Sequence, residues 1–253
     1  MTGVALLEGE RLDDLQLCGM KILQKEKGFR FGMDAVLLAD FVRAHRGDTV
    51  ADFGTGTGVL PLLLYGRGKG QRFIALELQA DMADMAGRTV RLNHLEETVQ
   101  VLSAPVEDAP SLLGRASVDT VVCNPPYGSP GSTLRNPDET RALSRHQGEE
   151  GLTPWYRAAS AILKDHGRFA MVYPAPRMLE AMRQLEDAGL TPKRLRLVYP
   201  RVSKSPNLAL IEAVKGGKPL LQPEPPLIVF DGEGAWTPEL RRIYGLDQAA
   251  VTG

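Results

Sequence analysis

A glycine-rich turn between a hydrophobic segment and an apolar helix constrains the fold of this chain most strongly. The sequence at this point is Val50-Ala51-Asp52-Phe53-Gly54-Thr55-Gly56-Thr57-Gly58. Glycine lets the backbone approach a ligand closely, and the start of a helix favours negative charge. The spacing is G-x-G-x-G, which differs from the G-x-G-x-x-G of dinucleotide-binding folds, and it lacks the Lys-Ser/Thr pair of a P-loop. The turn therefore predicts a strand, a ligand-binding loop and a helix in succession.

The segments around this turn alternate between strand and helix patterns, which predicts an α/β fold with a mostly parallel sheet and helices on both faces. Seven strands are predicted, at residues 49–53, 72–76, 99–102, 118–123, 168–173, 193–199 and 208–214. Helices are predicted at residues 33–43, 59–66, 79–94, 155–163 and 176–188. We expect one domain over residues 1–253, with an N-terminal extension at 1–47, a core at 48–214 and a tail at 215–253 that holds a short strand at 227–230.

Composition and charge exclude several classes of protein. Apolar residues make up 43% of the 253 residues, and the formal net charge is -1, so the bulk of the chain is globular. The longest apolar stretch, residues 59–65, is too short to span a membrane, and the pattern of a signal peptide is absent from the start of the sequence. Two cysteines, Cys18 and Cys123, cannot by themselves form a zinc site or a disulfide framework. We expect a cytoplasmic protein that binds neither membrane nor metal.

An acidic residue follows the second predicted strand at the distance that a nucleoside-binding fold requires. Glu77 lies 23 residues after Gly54, close to the spacing of about 20 at which a carboxylate binds ribose hydroxyls in dinucleotide folds. The glycine spacing and this acid together predict S-adenosylmethionine (SAM) bound in a class I SAM-dependent methyltransferase fold, which is Rossmann-like. Asp52 is then expected to face the amino group of SAM. NAD is the alternative cofactor, and the glycine spacing disfavours it.

A second motif follows the fourth predicted strand and reads Asn124-Pro125-Pro126-Tyr127. Parallel strands end at the same edge of a sheet, so this motif is expected beside the glycine loop. Proline fixes φ and holds the preceding residue extended, so the Asn124 side chain and the Pro125 carbonyl can accept hydrogen bonds from one NH2 group. Two such acceptors suit the methylation of a conjugated exocyclic amine, with the flipped base stacked on Tyr127.

The two motifs resemble those of the amino-group methyltransferases that act on adenine N6, guanine N2 or a glutamine amide. Within that group the chain is similar to the bacterial tRNA (adenine-N6) methyltransferases, which modify the adenosine beside the anticodon of a valine tRNA. The similarity covers residues 12–245. Besides the two motifs it rests on Gly28-Phe29-Arg30-Phe31-Gly32-Met33-Asp34-Ala35, Asn207-Leu208-Ala209-Leu210-Ile211-Glu212, Pro226-Leu227-Ile228-Val229-Phe230 and Trp236-Thr237-Pro238-Glu239.

The resemblance implies a role for particular residues. The implied catalytic residues are Asn124, Pro125, Pro126 and Tyr127. The implied cofactor-binding residues are Phe31, Asp52, Gly54, Thr55, Gly56, Gly58, Glu77, Leu78, Val106 and Glu107. The chain departs from its relatives after the third strand, where they often have Gly-Asp, so we expect Glu107 or the Val106 N–H to replace that acid. A second departure is Ser144-Arg145-His146-Gln147, where relatives often have Ala-Arg-x-Glu.

Basic residues that suit RNA phosphates cluster in the last third of the chain. Between Thr191 and Ile211 there are five basic residues and no acid, namely Lys193, Arg194, Arg196, Arg201 and Lys204. The polar loop at residues 128–152, which contains Arg145, is expected to act as a substrate lid. We therefore predict an RNA-binding enzyme whose partner is tRNA and whose product is N6-methyladenosine.

Other functions share the same motifs and stay open as alternatives. They are N5 methylation of a protein glutamine amide, N2 methylation of guanine in rRNA, and N6 methylation of adenine in DNA. The lack of a clear helical N-terminal domain disfavours the first, and 253 residues leave little room for a DNA target-recognition region. A SAM-binding scaffold without activity is a further alternative, which the intact Asn-Pro-Pro-Tyr motif disfavours. The sequence predicts no oligomeric state.

Overall fold

Strands and helices alternate along residues 4–27, 31–125 and 151–246, which are the residues that the computed structural model describes. The strands are β1 (Glu10–Asp14), β2 (Lys21–Lys25), β3 (Thr49–Phe53), β4 (Arg72–Glu77), β5 (Val99–Ser103), β6 (Val118–Cys123), β7 (Leu163–Pro174), β8 (Leu190–Tyr199), β9 (Leu208–Lys215), β10 (Gln222–Pro223) and β11 (Leu227–Ile228). The helices are α1 (Met33–Phe41), α2 (Val59–Gly66), α3 (Ala80–Leu92), α4 (Ala109–Leu113), α5 (Thr153–Ile162), α6 (Met178–Asp187) and α7 (Pro238–Ile243).

The central sheet has the strand order β10-β8-β9-β7-β6-β3-β4-β5, with β11 also paired to β8. Only β9 runs antiparallel to its neighbours, so the sheet is mostly parallel. The seven predicted strands, β3 to β9, are all present, and two-residue strands extend the β8 edge. One hydrophobic cluster buries α1, α2 and α7 against one face, and another buries α4, α5 and α6 against the other face. The predicted α/β architecture is therefore confirmed.

The central strands are apolar on both sides because helices cover both faces of the sheet. In β3 the residues Val50 to Phe53 are all buried, and in β6 so are the last four residues before Asn124. The apolar side chains of such strands fix their register, and they carry any polar residue at their ends to the same edge. This edge is where the two sequence motifs meet.

Strand β7 is five residues longer at its start than the sequence analysis predicted. Residues 163–167 were expected to end a helix, but Leu163 already pairs with Val118 of β6. The register then shifts, because the next pair joins Thr120 to Arg168. His166 in this irregular stretch has a φ of 61°, a left-handed conformation that a regular strand does not contain. A local bulge therefore made the start of β7 look like a helix end and a turn.

A hairpin of β1 and β2, which the sequence analysis missed, lies against α3. Asn93 at the end of α3 accepts from the amide of Lys21 at 2.9 Å and donates to its carbonyl at 2.7 Å. Arg88 of α3 binds both carboxylate oxygens of Glu10, at 2.5 and 2.6 Å. Buried Gln24 accepts from the amide of Phe31 at 3.1 Å. The hairpin thus joins α3 to the segment that leads into α1.

Candidate active site

Three adjacent strands deliver the glycine loop, the acid and the Asn-Pro motif to one edge of the sheet. Phe53 of β3 is paired with Leu76 of β4 on one side and with Cys123 of β6 on the other. Gly54, Glu77 and Asn124 are the next residues in each strand or loop. They therefore leave the sheet at the same level, as the sequence analysis expected of a ligand site at the carboxyl edge.

The glycine loop adopts a conformation that needs its glycines. Gly54, Gly56 and Gly58 have φ values of 71°, 59° and 86°, in the left-handed region that favours glycine. The amides of Gly54 and Thr55 both donate to the carbonyl of Leu76, at 2.9 and 3.0 Å. This anchoring holds the loop against the end of β4 and exposes its backbone to the carboxyl edge.

Trp155, at the start of α5, lies against the glycine loop. A Cβ atom on Gly54 would come within 3.0 Å of the Trp155 ring, so a side chain at this position would displace the tryptophan. The sequence analysis did not identify this residue. Trp155 follows Gly54 by 101 residues, and no local pattern in the sequence signals a contact over that separation.

Glu77 connects the glycine loop to the start of α3. One carboxylate oxygen accepts from the amide of Gly56 and the other from the amide of Gln79, both at 2.9 Å. The side chain is buried, and this burial raises the pKa of Glu77 even though the amides of Gln79, Gly56 and Leu78 oppose the shift. A carboxylate has about four acceptor positions, so Glu77 keeps capacity for a further donor such as a ribose hydroxyl.

Asp52 and Thr55 are buried polar groups beside each other at the start of the glycine loop. Asp52 is 1% exposed, and neither of its carboxylate oxygens has a partner among the described residues. The hydroxyl of Thr55 is likewise buried without a partner in that part of the chain. Burial raises the pKa of Asp52 from 3.8 to about 7; the nearby Thr55 hydroxyl opposes this shift, and the charge of Glu77 adds to it. Unpaired buried groups are costly, so these two fit a ligand that carries a cationic donor group.

Asn124 has the same property at the end of β6. Its side-chain oxygen is buried and has no hydrogen-bond partner within residues 4–27, 31–125 and 151–246. Pro125 is buried directly after it. The other two residues of the motif, Pro126 and Tyr127, lie outside the described residues. Asn124 therefore places a free acceptor at the edge where the glycine loop and Glu77 lie.

The remaining predicted cofactor residues surround this edge. Leu78 is 45% exposed beside Glu77, and Phe31 is half-buried next to Gln24. The amide of Ala104 donates to the carbonyl of Glu77 at 3.0 Å, which brings the loop after β5 to the same place. In that loop Val106 is buried at the start of a 3-10 turn, and the Glu107 side chain is exposed.

The five basic residues predicted to contact RNA do not form one surface. Arg194 is buried, with its guanidinium 2.8 Å from Glu212 and 2.7 Å from Glu224. Arg196 pairs with Glu239 at 2.6 Å, and Lys193 donates to the carbonyl of Lys218. Arg194 and Arg196 interact within the fold because the alternation along β8 turns both to one face, which α1 and the tail cover. This corrects the expectation of a single exposed cluster.

Arg201 and Lys204 differ from the other three because they are exposed in the loop between β8 and β9. This loop follows the carboxyl end of β8. The backbone carbonyl of Asn207 in the same loop accepts from the amide of Ala175, just after β7, at 3.0 Å. The two cations therefore lie at the site edge. Arg145 lies outside the described residues, as does most of the predicted lid.

The raised pKa of Asp52 predicts a stability that falls with rising pH. The folded protein holds this proton up to about pH 7, whereas the unfolded chain releases it near 3.8. The folded state binds more protons between these values, so the free energy of unfolding declines across that window. When the pH rises from about 5 to about 8, we expect the free energy of unfolding of Asp52→Asn to fall by about 2 kcal/mol less than that of the wild type. Urea unfolding of both proteins without SAM measures this difference.

The matched control for that experiment is Asp108→Asn, which removes an exposed carboxylate from a neighbouring loop. Its stability should follow the wild-type pH dependence. Equal declines in the wild type and in Asp52→Asn would contradict the assignment of the buried proton to Asp52.

Neither a membrane-spanning helix nor a metal-binding cluster occurs among the described residues. No helix there combines the length and apolar character that a bilayer crossing requires. No group of three or more His, Cys, Asp or Glu side chains there is arranged to hold a metal ion.

Comparison with known proteins adds three findings. Residues 31–138 match the family model of the methyltransferase small domain. A relative from Tolumonas auensis, named tRNA1(Val) (adenine(37)-N6)-methyltransferase, is 28% identical over 229 residues, which is 89% of each chain. A crystal structure from Agrobacterium tumefaciens, named a predicted O-methyltransferase, is 26% identical with a TM-score of 0.65 and covers 84% of this chain and 96% of its own.

A second structure shows the same fold at lower identity. It is a 16S rRNA N2 methyltransferase from T. thermophilus in complex with AdoMet and guanosine. It is 20% identical, with a TM-score of 0.58, and the match covers 83% of this chain and 52% of that one.

Proposed function

We propose that this chain, which matches the methyltransferase small domain over residues 31–138 and has the class I SAM-dependent methyltransferase fold, methylates the N6 amine of an adenine in tRNA. One observation carries the proposal. Asn124 presents a buried, unpartnered acceptor oxygen at the edge that holds the glycine loop and Glu77. An NH2 donor would satisfy that oxygen, and the exocyclic amine of adenine is such a donor. The relative from Tolumonas auensis, whose name states this reaction, supports the choice of tRNA.

The residues at the carboxyl edge fit SAM. The unpaired carboxylate of Asp52 suits the ammonium group of the methionine portion, and Glu77 retains acceptor capacity for a ribose hydroxyl. The backbone of Gly54, Gly56 and Gly58 gives a ligand close access without side-chain interference. Phe31, Thr55, Leu78, Val106 and Glu107 complete the proposed cofactor site. When bound, SAM supplies a methyl group on a positively charged sulfur.

Asn124 and Pro125 orient the amine for transfer. The lone pair of an adenine N6 amine is delocalised into the ring, so the amine is a weak nucleophile. Acceptance of its two hydrogens by the Asn124 side chain and the Pro125 carbonyl directs the lone pair toward the methyl group. The new N–C bond forms as the S–C bond breaks, and the nitrogen becomes cationic. One of the two hydrogens then leaves as a proton to solvent, so no strong base is required before transfer.

The RNA side of the proposal rests on fewer contacts. Arg201 and Lys204 are exposed at the site edge and suit phosphate contacts. We assign Tyr127 to stacking on the target base and Arg145 to the RNA-binding lid, in line with the resemblance described above. We also propose a single domain and the cytoplasm as its compartment. The free thiols of Cys18 and Cys123 agree with a reducing environment.

Methyl transfer from radiolabelled SAM to separate pools of tRNA, ribosomal RNA, DNA and protein tests the proposal. We expect label in tRNA and, after digestion to nucleosides, recovery as N6-methyladenosine. Label in protein would move the substrate to a glutamine amide, and N2-methylguanosine in ribosomal RNA would move it to guanine. N6-methyladenine in DNA would identify a DNA methyltransferase. SAM binding without label in any pool would contradict the proposed activity.

A further inference from the structure

A pocket of about 420 Å³ lies on the face of the sheet that α1 covers. It opens between the end of α1, the loop after α2, and strands β7 and β8. The loop after α2 leads into the start of β4, so the pocket lies toward the amino-terminal edge of the sheet, opposite the edge that holds Asn124. Five of its lining residues are cationic, namely Arg43, Lys69, Arg168, Arg194 and Arg196. Only two lining residues are acidic, Asp40 and Glu224.

A row of alternating charges forms the wall of this pocket. Arg168 lies 3.5 Å from Glu212, which is 2.8 Å from Arg194. Arg194 is 2.7 Å from Glu224, which is 3.4 Å from Arg43. Three guanidiniums and two carboxylates leave one positive charge in excess. The two outer guanidiniums have the longest ion pairs and are the most exposed, at 36% for Arg168 and 59% for Arg43.

Lys69 adds a second excess charge on the opposite wall. Its ammonium donates to the carbonyls of Ala39 and Asp40, at 2.9 and 2.5 Å, which uses two of its three N–H donors. Burial lowers the pKa of Lys69 to about 8, and the charges of Arg67 and Arg194 act in the same direction, against that of Asp40. The surroundings of Lys69 destabilise its charged form, and an anion bound beside the ammonium would offset this destabilisation.

We propose that this pocket binds a phosphate group through Arg43, Arg168 and the free donor of Lys69. A phosphate offers several acceptor oxygens, and the planar fork of a guanidinium group can donate to two of them at once. Arg194 stays fixed between its carboxylates and the Phe41 ring, 4.2 Å away, and supplies constant positive charge. The phosphate comes either from the backbone of the RNA substrate or from a free phosphorylated molecule, since the recognising chemistry is the same. The RNA source rests on the proposed function, whereas phosphate binding itself does not.

Calorimetric titration with pyrophosphate, in low salt and without SAM, tests the pocket directly. We expect saturable binding to the wild type and about tenfold weaker binding to the double variant Arg43→Gln/Arg168→Gln. The matched control, Arg46→Gln/Arg72→Gln, removes the same charge nearby without touching the pocket lining and should stay within about twofold of the wild type. Glu224→Gln should strengthen binding, because it removes an acid from the pocket wall.

The variants keep the buried charges paired. In the absence of Arg168, the buried Glu212 still pairs with Arg194. In the absence of Arg43, Glu224 also still pairs with Arg194. Urea unfolding of each variant verifies that it is folded at the titration temperature. Absence of saturable binding to the wild type would overturn the proposal. Equal losses in the two double variants would overturn it too, because they would indicate a general charge effect.

Methylation kinetics then identify the source of the phosphate. If the KM for tRNA rises with Arg43→Gln/Arg168→Gln and pyrophosphate competes with tRNA, the pocket binds an RNA phosphate. If that variant weakens pyrophosphate binding and leaves the KM for tRNA unchanged, the ligand is a free phosphorylated molecule. Failure of the methyl-transfer proposal would leave the calorimetric result standing, so the two proposals fail separately.

Discussion

Replacement of Asn124 by alanine is expected to lower kcat for methyl transfer by about 1000-fold and to leave the affinity for SAM within about threefold. The side-chain oxygen has no partner in the described part of the chain, so its removal breaks no hydrogen bond among those residues. What the variant loses is the acceptor that orients the amine. The loss should therefore appear in turnover and not in cofactor binding or in the free energy of unfolding.

Single-turnover methylation with saturating SAM, together with calorimetric binding of SAM, measures both quantities. Asn207→Ala is the matched control, because Asn207 is an exposed asparagine at the same edge of the sheet. We expect it to keep wild-type turnover. Loss of SAM affinity in Asn124→Ala, with turnover kept at saturating SAM, would show that Asn124 holds the cofactor and not the amine.

Replacement of Glu77 by alanine is expected to weaken SAM binding by about 100-fold, or about 2.7 kcal/mol. Glu77 fixes the amides of Gly56 and Gln79 and is proposed to bind the ribose. The variant therefore loses both the ligand contact and the geometry of the loop. At saturating SAM, its kcat should lie within about tenfold of the wild type, since the amine-orienting groups are on a different strand.

Glu77→Gln tests whether SAM binding requires a carboxylate at this position. Both oxygens of Glu77 accept from backbone amides, so a glutamine would turn its own NH2 group toward an N–H donor. We therefore expect the glutamine variant to bind SAM nearly as weakly as the alanine variant. Glu97→Ala, an exposed acid before β5, is the control for the loss of negative charge. Wild-type affinity in Glu77→Gln would argue against a carboxylate anchored by two amides.

The sequence predicted the core of the fold because each central strand is a short apolar run between turn residues. Buried parallel strands have this pattern regardless of their neighbours, and the residues that follow them at the carboxyl edge could be placed together without a structure. Gly54, Glu77 and Asn124 were found in this way. The hairpin of β1 and β2 was missed because Glu10–Asp14 is mostly polar and its contacts with α3 are distant in sequence.

Side-chain partners distant in sequence were the part that could not be predicted. Arg194 belongs to a basic run, and nothing in that run shows that Glu212 and Glu224 converge on it. Trp155 contacts Gly54 through the packing of α5, which local periodicity does not encode. The start of β7 was predicted as a helix end for a related reason, because the glycine and histidine of its bulge are also typical of a helix end.

The position of the N-terminal hairpin has a consequence for synthesis on the ribosome. The chain makes β1 and β2 first, yet their docking partners on α3 are 56 to 78 residues further along. The hairpin must therefore remain undocked until most of α3 has left the exit tunnel, although domains generally begin to fold from the N-terminus during synthesis. Its polar strand β1 suits this interval, because an exposed strand edge with charged side chains resists pairing with other chains. We expect these early residues to become protected from proteolysis late in translation, after the first half of the sheet has formed.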